Sequence, residues 1–123
     1  MTKLLYPDLS YKLIGCAIKV HKTLGIGLPE HCYQKALLLE LNDNDIRTIS
    51  EVQHKVYYNN QVVGTFRSDI IVDNKIILEL KSADKMHDAF TAQLLNYMRI
   101  TGLKVGYILN FGNLLLDKKR LII

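Results

Sequence analysis

The sequence predicts an α/β (α+β) fold, a mixed four-stranded sheet flanked by helices in the order α-α-β-β-β-α-β. Three observations predict it. Two stretches of helical periodicity come first. Three short β-branched runs split by turn residues follow. A third helical stripe then precedes a last apolar run. At 123 residues the chain suits one domain over 1–123 with a single core.

The first helix is expected from an N-cap at Ser10 to about Leu24. Its apolar positions Leu13, Ile14, Ala17, Ile18, Val20 and Leu24 recur mostly three or four apart. Gly25-Ile26-Gly27 breaks the pattern, and Pro29 suits the first turn of a second helix. That helix carries Tyr33, Ala36, Leu37, Leu38 and Leu41 and ends near Asn42–Asp45. Strands are expected over Glu51–Tyr58, Val62–Val72 and Ile76–Lys81, with turns at Asn59-Asn60-Gln61 and Asp73-Asn74-Lys75. Met86–Thr101 reads as a helix striped by Phe90, Leu94, Leu95 and Met98, and Gly102 stops it. Leu103–Phe111 is the fourth strand. Leu114–Leu116 and Leu121–Ile123 read either as short edge strands closing the core or as a homodimer surface. Three consecutive strands allow an antiparallel meander, and the 86–101 helix is then a crossover.

Composition narrows the class. Nearly half the residues, 49%, are apolar, which excludes a disordered chain. No apolar run approaches the ~18 residues of a membrane span. The N-terminus lacks a signal-like apolar stretch, so a cytoplasmic setting is expected. Cys16 and Cys32, and the four histidines, show no zinc-ligand spacing. The net charge of +4 is compatible with a polyanionic partner without identifying one.

The candidate site lies between Arg67 and Lys81. Asp69 interrupts one apolar run, and Glu79 and Lys81 interrupt the next. Alternation places Glu79 and Lys81 on one face of their strand, and Asp69 on the neighbouring strand can face the same way. Two carboxylates and an ammonium in so apolar a strand pair need partners, and a divalent cation between the carboxylates would supply one. Arg67, two before Asp69, is expected on its face, contacting phosphate or pairing with a carboxylate. Gln93 and Tyr97 are four apart and share a helix face. Glu30, in the first helical turn, suits either a site role or stabilisation of the helix dipole.

Asp69 with Glu79-Leu80-Lys81 resembles the motif of the PD-(D/E)xK nuclease superfamily, with Ser68 where the family name has Pro. Gly27-Leu28-Pro29-Glu30-His31-Cys32-Tyr33 is similar to the GxxExxY pattern of a small family placed in it. Arg67-Ser68-Asp69, Gln93-Leu94-Leu95-Asn96-Tyr97 and Leu109-Asn110-Phe111-Gly112 also look like that family. The resemblance implies a restriction-endonuclease-like core and a metal-dependent nuclease, with DNA ahead of RNA as the nucleic-acid partner. It implies Mg²⁺ or Mn²⁺ held by Asp69, Glu79, the Leu80 carbonyl and Glu30, with Lys81 catalytic. It implies that Gln93 and Tyr97 contact substrate or support Lys81. Two alternatives stay open: a non-catalytic nucleic-acid-binding module on the same fold, and an internal salt-bridge network in which Arg67 neutralises the carboxylates.

Overall fold

The computed structural model describes residues 5–123. Its elements are α1 (Pro7–Leu24), α2 (Glu30–Asp43), β1 (Thr48–Tyr58), β2 (Gln61–Val72), β3 (Ile76–Lys81), α3 (Asp88–Thr101), β4 (Val105–Asn110) and β5 (Asp117–Ile122). The strands form one five-stranded sheet in the order β1-β2-β3-β4-β5. Only the β3–β4 pairing is parallel, because α3 carries the chain across between them.

The central strands are apolar enough to be buried on both faces. Ile76 to Leu80 and Val105 to Asn110 are all buried. On one face Leu13, Ala17, Tyr33, Leu37 and Leu41 of α1 and α2 pack against Ile70, Val72, Leu78, Leu80 and Leu109. On the other, Leu94 and Met98 of α3 pack against Ile71, Ile77 and Ile108. Gly106 lets α3 approach: a Cβ there would stand 2.9 Å from Met98 Sδ.

Several boundaries differ from expectation. The first helix starts at Pro7, which takes the first helical position, so Ser10 lies inside the helix instead of capping it. Its hydroxyl is buried with no partner among the described residues. Pro29 is the N-cap of α2, with extended backbone, and Glu30 is the first helical residue. The sheet has a fifth strand at Asp117–Ile122, and Leu114–Leu116 is not a strand. Leu114 and Leu115 stand exposed on the loop before it.

The β1–β2 hairpin is long, and its outer half leaves the sheet. β2 pairs with β3 at Ile70, Ile71 and Val72, whereas β1 follows β2 to Tyr58↔Gln61. Asn59 and Asn60 close its tip with φ of 49° and 62°, the left-handed pair of a tight hairpin turn. Asp73 and Asn74 do the same between β2 and β3, where Lys75 N–H donates to Val72 O.

Candidate active site

Register builds the centre of the site. Ile70 pairs with Leu78, so one step further Asp69 faces Glu79 across the β2–β3 ladder. Leu80 N–H donates to Asp69 Oδ2 at 2.8 Å, which fixes that carboxylate against β3. Glu79 is 5% exposed, and its Oε1 is buried with no hydrogen-bond partner among the described residues. A buried carboxylate oxygen is seldom left orphaned, because the lost hydration is not returned.

Burial is the first cause of the perturbed acidity here. It pushes the Glu79 carboxyl up to about 8, helped by the charge of Asp69 and opposed by Lys81. Asp69 is also raised by burial, against the Leu80 N–H bond and the Lys81 charge. Near neutral pH this carboxyl pair holds a proton, with Glu79 the main holder. Glu30, at the solvent-facing start of α2, is raised by burial and then by the charge of Asp69, and is lowered by Lys81. It therefore sits within electrostatic reach of both.

Lys81 is held from α3. Its ammonium donates to Gln93 Oε1 at 3.0 Å and lies 4.7 Å above the Phe90 ring. No ion pair within 4.0 Å joins it to Asp69 or Glu79 among the described residues. Tyr97, one turn beyond Gln93, stacks on Phe66 of β2 with ring centroids 3.9 Å apart. Burial and then the charge of Glu79 hold its phenol above the ordinary range.

Arg67 stands apart from this group. Its guanidinium lies 3.8 Å from the Glu51 carboxylate, and both side chains are mostly exposed. Glu51 faces Asp69 in the β1–β2 register with a left-handed φ of 53°. Phe66 packs inward onto Tyr97, while Arg67 is exposed. Among the described residues, no ion pair within 4.0 Å joins Arg67 to Asp69 or Glu79.

The supports were harder to foresee. Gln34, one turn after Glu30 on α2, donates to the Asp69 carbonyl at 3.1 Å. Its spacing from Glu30 was the available signal. Tyr33 lies three residues after Glu30 on α2. Its hydroxyl donates to Gly25 O at 2.7 Å and accepts from Leu28 N–H at 3.3 Å, and its ring stacks on Phe111. It thereby pins the turn that delivers Glu30. Asn110 clasps the chain just after Lys81: its amide donates to Ala83 O and its carbonyl accepts from Ala83 N–H and Gly112 N–H. Gly112 has no room for a side chain, since a Cβ would come within 2.1 Å of Ala83 O.

A family model of the PD-(D/E)XK nuclease superfamily matches residues 7–121. The chain belongs to the PD-(D/E)XK nuclease superfamily. Its structure is similar to the crystal structure of SSO0001, with a TM-score of 0.61 at 18% identity, over 75% of this chain and 48% of that one. The chain therefore spans about half the length of that protein, and the likeness is one of fold. No curated protein matches the sequence. The restriction-endonuclease-like core expected of the superfamily is present, with one strand more than the four expected. No three His, Cys, Asp or Glu side chains converge to hold an ion among the described residues. The donors that do meet are a carboxylate pair, all oxygen, with one buried oxygen unused. That set suits a hard divalent cation and does not suit a soft one.

Proposed function

We propose that this chain is a divalent-metal-dependent nuclease that hydrolyses phosphodiester bonds, in DNA ahead of RNA. One observation carries the reading: the buried, unpartnered Glu79 oxygen opposite Asp69, beside an ammonium that is held by a neutral amide and an aromatic ring. Family membership supports the chemistry, and the GxxExxY pattern from Gly27 to Tyr33 supports placement in the small family of that name. Asp69, Glu79 and the Leu80 carbonyl would hold Mg²⁺ or Mn²⁺, with Glu30 at the rim. The bound cation would supply an acidified water and charge neutralisation on the phosphate.

The chain's own groups have separable tasks. Lys81 offers a positive charge where negative charge develops on the scissile phosphate, and it meets that charge already oriented. Gln93 and Phe90 orient the ammonium without neutralising it, as an acidic partner would. Leu80 N–H fixes one Asp69 oxygen. Gln34 anchors the Asp69 main chain from α2, on the helix that also delivers Glu30. Tyr97 stands within electrostatic reach of Glu79.

The test is cleavage of single-stranded, duplex and circular DNA and of RNA, with Mg²⁺, Mn²⁺ or chelator, beside folded Glu79→Gln and Lys81→Ala proteins. Metal-dependent products lost in both variants bear the proposal out. Products that persist in both refute it. A non-catalytic nucleic-acid-binding module has one observation in its favour, the lack of a third converging ligand among the described residues. It predicts salt-sensitive binding and no product with any metal.

A further inference from the structure

We propose that the β1–β2 ribbon is a binding arm for unpaired nucleic acid, with Tyr57 and Tyr58 as its base-stacking surface. The proposal rests on the nucleic-acid reading of the site and assigns that site a substrate class, a single-stranded segment.

The ribbon is rooted at the site and reaches away from it. Phe66 on β2 is sandwiched between Tyr97 of α3, at 3.9 Å, and His54 of β1, at 4.7 Å. His54 Nε2 in turn lies 3.0 Å from Ser68 Oγ, next to Asp69. From Asp69 outward to Val62 is seven residues, about 23 Å of strand at roughly 3.3 Å per residue. None of that length pairs with β3.

The composition of the arm points to its partner. Between Val52 and Ser68 there is no acidic residue, while Lys55 and Arg67 carry positive charge and Gln53, Asn59, Asn60 and Gln61 offer amides. Exposed carboxylates would repel a phosphate chain, and the arm has none beyond its root at Glu51. Tyr57 and Tyr58 are 62% and 68% exposed at the tip, and Val62 and Val63 beside them are also exposed. Rings this open have no packing task in the monomer. A bare π-face suits any base that is free of its partner, and stacking of this kind does not depend on sequence. A duplex hides its base faces and offers groove edges, which two cations and two apolar valines read poorly.

The experiment measures anisotropy of a fluorescein-labelled oligothymidine strand, its RNA counterpart and a blunt duplex, in chelator, followed by turnover with Mg²⁺. The proteins are wild type, the Tyr57→Ala/Tyr58→Ala double variant and the Tyr57→Phe/Tyr58→Phe double variant. The alanine pair, exposed and outside the core, is expected to melt like wild type and to bind the single strand roughly ten- to a hundredfold more weakly. The phenylalanine pair should keep its affinity, because the ring and not the hydroxyl stacks. Cleavage by the alanine pair should show a raised KM with an unchanged kcat. Wild-type affinity in the alanine pair, or no strand binding by wild type, overturns the proposal. A dimer in wild type that the alanine pair dissolves, with nucleic-acid binding unaltered, overturns it in favour of a protein interface. The two readings fail separately. Ribbon-dependent binding without cleavage in any metal removes the nuclease activity and keeps the arm. Cleavage with an unchanged KM in the alanine pair removes the arm and keeps the nuclease.

Discussion

Glu79→Gln should stabilise the metal-free protein, and by more the higher the pH. Glutamine keeps the shape of the side chain and removes its charge. In the wild type the folded carboxyl titrates at about 8, against an ordinary 4.5. Between those values the native state holds a proton that the unfolded chain has released. Unfolding stability therefore falls as pH rises through this window and levels off above it. At 1.36 kcal/mol per pH unit, the charge costs the native state about 1 kcal/mol at pH 5, about 3 at pH 7 and 4 to 5 above pH 9. The variant escapes this cost, so its advantage should widen by roughly 3 kcal/mol between pH 5 and pH 8, on the order of 10 °C in Tm for a domain this size. The assay is thermal or urea unfolding of both proteins in chelator across that range. Mg²⁺ or Mn²⁺ should then narrow the gap, since a ligand at a hundred times its Kd adds about 2.7 kcal/mol to the protein that binds it. An advantage that does not change with pH refutes the reasoning on Glu79. Equal metal stabilisation of both proteins refutes its place in the metal site.

Lys81→Ala should keep its fold and lose on the order of 10²- to 10³-fold in kcat in single-turnover cleavage, the scale for removing one preorganised charge. Gln93→Leu leaves Lys81 in place but frees its ammonium, so kcat should fall less than in Lys81→Ala, with a near-wild-type melt. Asn110→Ala orphans Ala83 N–H, Ala83 O and Gly112 N–H, and should cost about 3 kcal/mol in urea unfolding. A loss well under 1 kcal/mol would show that water replaces the clasp. Tyr33→Phe keeps the Phe111 stack and loses both hydroxyl bonds, for about 1 to 2 kcal/mol, measurable by the same unfolding.

Much of this fold was legible because its period was strong. β3 begins and ends where its apolar run does, and turn residues mark both hairpins. The acids and lysine were legible for the same reason: charges inside β-branched runs are conspicuous. β5 was legible only at its end, where Leu121–Ile123 reads as a short edge strand; Lys118-Lys119-Arg120 before it reads as a solvated end, yet it belongs to the same edge strand, whose outward positions need no apolar side chain. The start of α1 was misjudged because Ser10 is a good capping residue, and Pro7 fixed the helix three positions earlier. Arg67 pairs with Glu51 across the β1–β2 hairpin, a contact that its spacing from Asp69 does not encode. Phe90 and Asn110 act through tertiary contacts, which no local spacing encodes.

Three residue pairs tie β2 to β3, and the ribbon meets α3 through Val52 at its root and the Phe66–Tyr97 stack. The hairpin should therefore open on its own, exchanging its amide hydrogens far sooner than Ile76–Leu80 and Val105–Asn110, which are released only when the whole domain unfolds. It is also a unit that evolution can lengthen, trim or re-letter without disturbing the strands that carry the acids. A protein built this way keeps its chemistry in the slow, cooperative part of the chain and its choice of substrate in a part that can be exchanged.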